Sequence, residues 1–180
     1  RNAAIAERER ADRIGYSGVG KTRAEMRAAL EAGILMFNVE SSQELDALSD
    51  EASALGRTAR MSLRVNPDVD PKTHPYISTG LKKNKFGVPI DEALEEYLRA
   101  ASLPGLEVVG VDCHIGSQLT DTGPFVDAVG RLLRLIGQLK DQGLKLKYLD
   151  LGGGLGITYD KEVPPEPGDY ARDLNQALVD

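Results

Sequence analysis

The chain has one cysteine, Cys113, and two histidines, His74 and His114. A lone thiol excludes an internal disulfide framework and suits a reducing compartment, so a cytoplasmic location is expected. So few Cys and His side chains do not make a structural zinc site, and no metal is expected. No run of ~18 apolar residues occurs, which excludes a membrane-spanning helix in this sequence. Basic charge is not in excess: 22 Lys and Arg stand against 28 Asp and Glu, a net charge of −6, which argues against nucleic acid as a partner. G-x-G-x-x-G occurs nowhere, so the dinucleotide fingerprint is absent. The chain opens on Arg1 rather than Met, with no charged-then-apolar leader, as expected of a piece of a longer protein or a processed chain.

What is present is one domain's worth of ordinary globular sequence: 180 residues, 41% hydrophobic and 28% charged. Two periods alternate along it. Thr22 and Glu25 form a capping-box pattern ahead of a helix over 23–32, with Met26, Ala29 and Leu30 on one stripe and Gly33 as its stop. Residues 34–39 are an apolar run of strand length. Ser41 and Glu44 open a second helix carrying Leu45, Leu48, Ala52 and Leu55 on one face, closed by Gly56. Residues 59–66 read as a strand ended by Pro67, and 67–89 as a long loop without period, of the kind that is usually functional. A helix over 91–102 has Leu94, Tyr97, Leu98 and Ala101 inward. A strand over 106–113 follows, then a helix over 124–142 with Phe125, Val129, Leu132, Leu133, Ile136 and Leu139 at three- and four-residue spacing. A strand over 144–151 runs into Gly152, Gly153 and Gly154; a Pro-rich loop over 161–168 leads to a last helix from near Asp169. A first strand is expected at 13–17. Residues 1–13 form a charged lead-in without a clear element, and 14–180 make the domain.

Alternating strands and helices imply an α/β fold with a parallel sheet, as a doubly wound sheet or a (β/α)8 barrel. Polar residues at the strand ends, Glu40, Arg64, His114 and Asp150, favour the barrel, whose active sites assemble there. A complete barrel takes roughly 250 residues. About five strand–helix units in 180 residues predict a partial (β/α)8 TIM-type barrel.

Gly15 to Thr22 match G-x-x-x-x-G-K-[ST] in full, the phosphate-binding loop of nucleotide hydrolases. That loop has meaning only between a buried strand and a helix. The residues ahead of Gly15 are nearly all charged and would not fill the centre of a parallel sheet. The sequence therefore predicts that Thr22 caps a helix and that Lys21 is a solvated strand-end residue. A nucleotide hydrolase stays open as an alternative.

Three strand ends carry chemistry. Cys113-His114-Ile115-Gly116-Ser117-Gln118 offers an imidazole that can act as a base or lie flat on a planar ligand, a glycine that lets backbone approach, and the Ser117 hydroxyl for an anion. Gly152, Gly153 and Gly154 expose successive amides able to cradle a phosphate. Arg64 places a fixed charge inside a strand, where it wants a carboxylate or a ligand. Each has a plainer alternative: a satisfied core histidine, a flexible turn, and an arginine facing solvent from an edge strand. Together they point to a barrel mouth for a flat, phosphorylated ligand.

At these residues the chain resembles the diaminopimelate decarboxylase family, pyridoxal-phosphate enzymes built on an alanine-racemase-like barrel. The stretches that carry the resemblance are YSGVGKT (16–22), LEAGILMFNVES (30–41), SLRVNPDVDPKTHPYISTGLKKNKFG (62–87), LPGLEVVGVDCHIGSQ (103–118) and LDLGGGLGI (149–157). The resemblance implies pyridoxal 5′-phosphate as cofactor, with His114 as the catalytic imidazole stacked on its ring. It implies Ser117, Gly152, Gly153 and Gly154 as phosphate contacts and Arg64 beneath the cofactor. Lys85 is implied as a structural or subunit-contact residue, with His74 left on its loop. It implies decarboxylation of meso-2,6-diaminopimelate to L-lysine, a small amino acid as partner, and a homodimer. Two family features have no counterpart here. No lysine sits in the apolar first-strand setting of the Schiff-base lysine. Glu166-Pro167-Gly168-Asp169 stands too close to the glycines to be the pyridine-nitrogen motif, and reads as the Pro-rich loop. The 180-residue chain alone is accordingly expected to be inactive. A non-catalytic cofactor-binding module on the same barrel is the remaining alternative.

Overall fold

The computed structural model describes residues 10–69 and 86–179. His74, Lys85 and most of the loop expected over 67–89 lie outside the described residues, as do residues 1–9 of the lead-in.

Five parallel strands lie side by side in chain order: β1 (Gly15–Tyr16), β2 (Met36–Val39), β3 (Ala59–Asn66), β5 (Leu106–Asp112) and β6 (Tyr148–Asp150). A two-residue strand, β4 (Val88–Pro89), pairs with the end of β3. Helices α1 (Arg23–Ala32), α2 (Ser42–Ala54), α3 (Ile90–Ser102), α4 (Gly123–Asp141) and α5 (Pro167–Val179) follow the five main strands in turn. Unbroken chain order separates the two candidate architectures. A doubly wound sheet reverses its order at a switch point, and this one never does. The fold is five βα units of a partial TIM-type barrel.

Local chemistry sets the helix ends. The Thr22 hydroxyl accepts the Glu25 amide and the Glu25 carboxylate accepts the Thr22 amide at 2.9 Å, so the capping box is closed, and Gly33 ends α1 at φ +69°. Ser41 caps α2 by accepting the Glu44 amide at 3.2 Å. Three readings are corrected. On α3, which starts at Ile90, Tyr97 is buried and Leu94 packs on the core as expected, but Ala93 and Ala100 complete the buried stripe while Leu98 and Ala101 face solvent. β1 is shorter than 13–17 because Ala11–Arg13 winds into a 3-10 turn. The last helix begins at Pro167, so Pro167, Gly168 and Asp169 form its first turn rather than loop; proline suits that position and the aspartate complements the helix dipole.

The period of two sorts the strands. Phe37, Val39, Met61, Leu63, Val65, Val111 and Cys113 pack in one core with the helix residues Met26, Leu30, Leu45, Leu48, Tyr97 and Leu132. The alternate residues, Asn38 and Glu40, Ser62 and Arg64, Asp112, and Asp150, make up the opposite, inner face. That face is polar, and it carries the site.

Candidate active site at the strand ends

Parallel pairing brings the inner residues into rows. Asn38 is level with Ser62, Arg64 with Asp112, and Asp112 with Asp150. In the lower row Ser62 donates to Asn38 Oδ1 at 2.7 Å, and Asn38 Nδ2 donates to Ser17 Oγ at 2.7 Å and to Asp150 Oδ2 at 2.9 Å. Asp150 also accepts the Gly152 amide through Oδ1 at 2.9 Å. Asp150 thus accepts from two donors, one on each oxygen. Burial, reinforced by the Asp150 charge, pushes the Asp112 carboxyl up to about 7.

One row higher, Arg64 Nη1 donates to both oxygens of Glu40, at 2.9 and 2.8 Å. β3 lies between β2 and β5, and the Arg64 side chain is only 13% exposed, which overturns the reading of a surface arginine on an edge strand. Its Nε is buried without a partner among the described residues, and Phe86 lies against the guanidinium. Arg64, Asn66, Phe86, His114 and Gly116 line one cavity of about 260 Å³. Burial, with the Arg64 charge second, lowers the His114 imidazole below its ordinary value, so it is neutral at pH 7. Beneath it, burial pushes the Cys113 thiol up to about 12, which leaves it unreactive.

The glycine run closes onto the turn that carries His114. Leu119 N donates to Gly154 O at 2.9 Å and Gly156 N to Leu119 O at 2.8 Å. The Gln118 side chain bonds both backbone groups of Ile157. A Cβ at Gly152 would sit 2.7 Å from Cys113 O and 2.8 Å from His114 Nδ1; one at Gly154 would sit 1.9 Å from Gly116 O. Gly153 faces open space. Ser117 stands exposed on the same turn. Arg64 and His114 thus share a mouth, with Gly152 against the imidazole, Gly154 against the Gly116 carbonyl and Ser117 the next residue on the same turn.

The phosphate-loop alternative fails on Lys21. Its side chain is 1% exposed and its ammonium donates to Gly18 O, Asn38 O and Glu44 Oε1, each at 2.7 Å. Three acceptors use all three protons, and none is left for phosphate. The expected strand overlaps the motif as β1, and Lys21 is not the solvated residue that the sequence predicts. Sequence pattern cannot show Glu44, 23 residues away, turning inward to meet it.

Sequence reasoning also missed Asn38 and Asp112. Each is a polar residue inside an apolar run, two positions before a strand-end residue already singled out (Glu40 and His114), and that spacing was the available signal. Asp112 has a measurable consequence. Its folded value of about 7 lies above its ordinary 3.8, so between those pH values the folded state binds more protons than the unfolded. Stability from this group is full at low pH and is lost as pH rises through about 7. Asp112→Asn is expected to be better tolerated at pH 8 than at pH 5 relative to the unsubstituted protein; urea unfolding of the full-length protein across pH checks it, and a difference independent of pH contradicts it.

Among the described residues no helix is long and apolar enough to cross a membrane. The family model for the pyridoxal-dependent decarboxylases' pyridoxal binding domain matches residues 2–180. The diaminopimelate decarboxylase of Pseudomonas aeruginosa is 59% identical over 166 residues, covering 92% of this chain and 40% of that protein. That of Aquifex aeolicus is 54% identical over 167 residues, covering 91% and 40%. The crystal structure of diaminopimelate decarboxylase from Helicobacter pylori complexed with L-lysine superposes with a TM-score of 0.88 at 45% identity, over 98% of this chain and 45% of that one. The chain spans about 40% of the length of the curated relatives it matches. With the match running from residue 2 to the end of the chain, on a barrel shared with these structures, the chain belongs to the pyridoxal-dependent decarboxylase family, within its pyridoxal-binding domain.

Proposed function

We propose that the mouth between β3, β5 and β6 holds pyridoxal 5′-phosphate, and that the whole protein decarboxylates meso-2,6-diaminopimelate to L-lysine. The observation that carries the reading is the close approach of Gly152 and Gly154 to the His114 turn, a cradle that a Cβ would fill. The residues present fit the coenzyme. The neutral, half-buried imidazole of His114 offers a flat face to a ring. Gly152 gives its amide to Asp150, so Ser117 and the amides of Gly153 and Gly154 are the groups to meet the phosphate. Gly152 serves by leaving His114 room. Arg64, fixed by Glu40, presents an orphaned Nε under the mouth. When bound, the coenzyme supplies an electron sink for the carbanion left by loss of CO2.

The relatives' names support the substrate, and the complex of one of them with L-lysine supports an amino acid of that size in the mouth. The single, buried Cys113 supports a reducing compartment, and we place the protein in the cytoplasm. A homodimer is the assembly the resemblance implies; sedimentation of the full-length protein tests it, and a monomer contradicts it.

Titration of the full-length protein with pyridoxal 5′-phosphate tests the site. The expected result is saturable binding, weakened about tenfold in His114→Ala, the worth of one aromatic stack of roughly 1–1.5 kcal/mol. Release of CO2 from meso-2,6-diaminopimelate tests the substrate. Unchanged binding by His114→Ala overturns the ring-stacking role, and absence of CO2 release overturns the reaction.

A further inference from the structure

We propose that the Tyr97 hydroxyl is a positioning group for this site: wedged between β3 and β5, it holds the bulge that turns Asp112 and His114 into the barrel. The inference rests on the reading of the mouth as the coenzyme site.

The ladder between these strands pairs Met61 with Val108 but Ser62 with Gly110, so Val109 is an extra residue without a partner on β3. A shift of one residue turns every later side chain to the opposite face of the sheet. Without the extra residue Arg64 would stand level with Val111, with Asp112 and His114 turned toward the helices. With it, Asp112 is level with Arg64 and Asp150, and His114 opens into the cavity. The bulge therefore decides whether the β5 end presents its polar or its apolar residues to the mouth.

Beside the bulge, Tyr97 bonds backbone groups of both strands. From the middle of α3 its hydroxyl accepts the Leu63 amide at 3.1 Å and shares its proton between Gly110 O at 3.0 Å and Leu63 O at 3.2 Å. The side chain is fully buried, and burial keeps the hydroxyl protonated, able to donate and accept at once. The neighbouring strand closes the other side: a Cβ on Gly110 would lie 2.7 Å from Tyr148 O. One hydroxyl thus bridges two strands immediately below Arg64 and Asp112. Tyr97 touches neither the cavity nor its ligand and acts through the backbone.

Tyr97→Phe in the full-length protein keeps the ring and removes the bridge. The expected result is a loss of coenzyme affinity of about tenfold or more, with an altered visible circular dichroism of the bound coenzyme, because the imidazole is displaced. A crystal structure of the same variant without coenzyme is expected to show Val109 re-paired and His114 moved. A variant that melts lower yet binds coenzyme with unaltered affinity and dichroism shows a merely structural tyrosine and overturns the proposal. The crystal structure separates this from the function reading. If the unsubstituted protein takes up no coenzyme, that reading falls, while an intact bulge with His114 unmoved in the variant overturns the positioning role by itself. Should the variant not fold, a crystal structure of the unsubstituted full-length protein decides. Val109 unpaired with the hydroxyl on Leu63 N and Gly110 O supports the proposal, and a regular ladder there overturns it.

Discussion

Replacing Lys21 with methionine is expected to destabilise the full-length protein by about 3–5 kcal/mol, the cost of breaking a buried ion pair from one side. Lys21 and Glu44 are 1% and 9% exposed, and the ammonium also satisfies the carbonyls of Gly18 and Asn38. Methionine fills the volume and leaves the two carbonyls and the carboxylate unmet. Burial already raises the Glu44 carboxyl above its ordinary range against the pull of Lys21, so the variant relieves itself by protonating Glu44, and its deficit shrinks as pH falls. Pairing Lys21→Met with Glu44→Leu is expected to recover most of the loss, because the second change removes the stranded charge. Urea unfolding of the three proteins checks this. A Lys21→Met protein within 1 kcal/mol of the original, by roughly the range of surface substitutions, would place the ammonium in solvent and restore the phosphate-loop reading.

The second large effect is at Gly154. An alanine there must hold φ near +111° and place its Cβ 1.9 Å from the Gly116 carbonyl oxygen, a backbone atom without freedom to withdraw. The glycine run and the His114 turn are expected to separate, with loss of the bridge between Leu119 and Leu155 and of coenzyme binding. Gly153→Ala is the contrast, since its Cβ meets nothing within 4 Å. Affinity for pyridoxal 5′-phosphate is expected to fall by at least 100-fold in the first, by about the 3 kcal/mol that overpacking against backbone costs, and by far less in the second. Equal losses in both variants would mean that the run acts through chain flexibility and not through close packing on the turn.

The barrel was legible because its period of two is clean. In β3 the apolar Met61, Leu63 and Val65 alternate with Ser62 and Arg64, and α1 carries its capping box and glycine stop in plain sequence. The site was legible only at the strand tips, where a histidine, an arginine and a glycine run are unusual enough to be noticed singly. What stayed hidden was set by residues far apart in the chain. Lys21 reads as a surface cation until Glu44 is seen beside it. The face of α3 was legible only in part: Tyr97 and Leu94 turn to the core, but the small Ala93 and Ala100, not Leu98 and Ala101, complete the stripe. The extra residue at Val109 leaves no mark in an apolar strand. Asp112 looks like an ordinary strand-end acid, yet burial on the inner face, with the Asp150 charge second, raises its carboxyl, and neither shows in the local sequence.

A crystal structure of the full-length protein grown with pyridoxal 5′-phosphate decides where the coenzyme lies. The pyridine ring is expected flat against the His114 imidazole, with the phosphate within hydrogen-bond reach of Ser117 and the amides of Gly153 and Gly154. Coenzyme density elsewhere, or a His114 ring turned toward the helices with the glycine run bare, would contradict this placement.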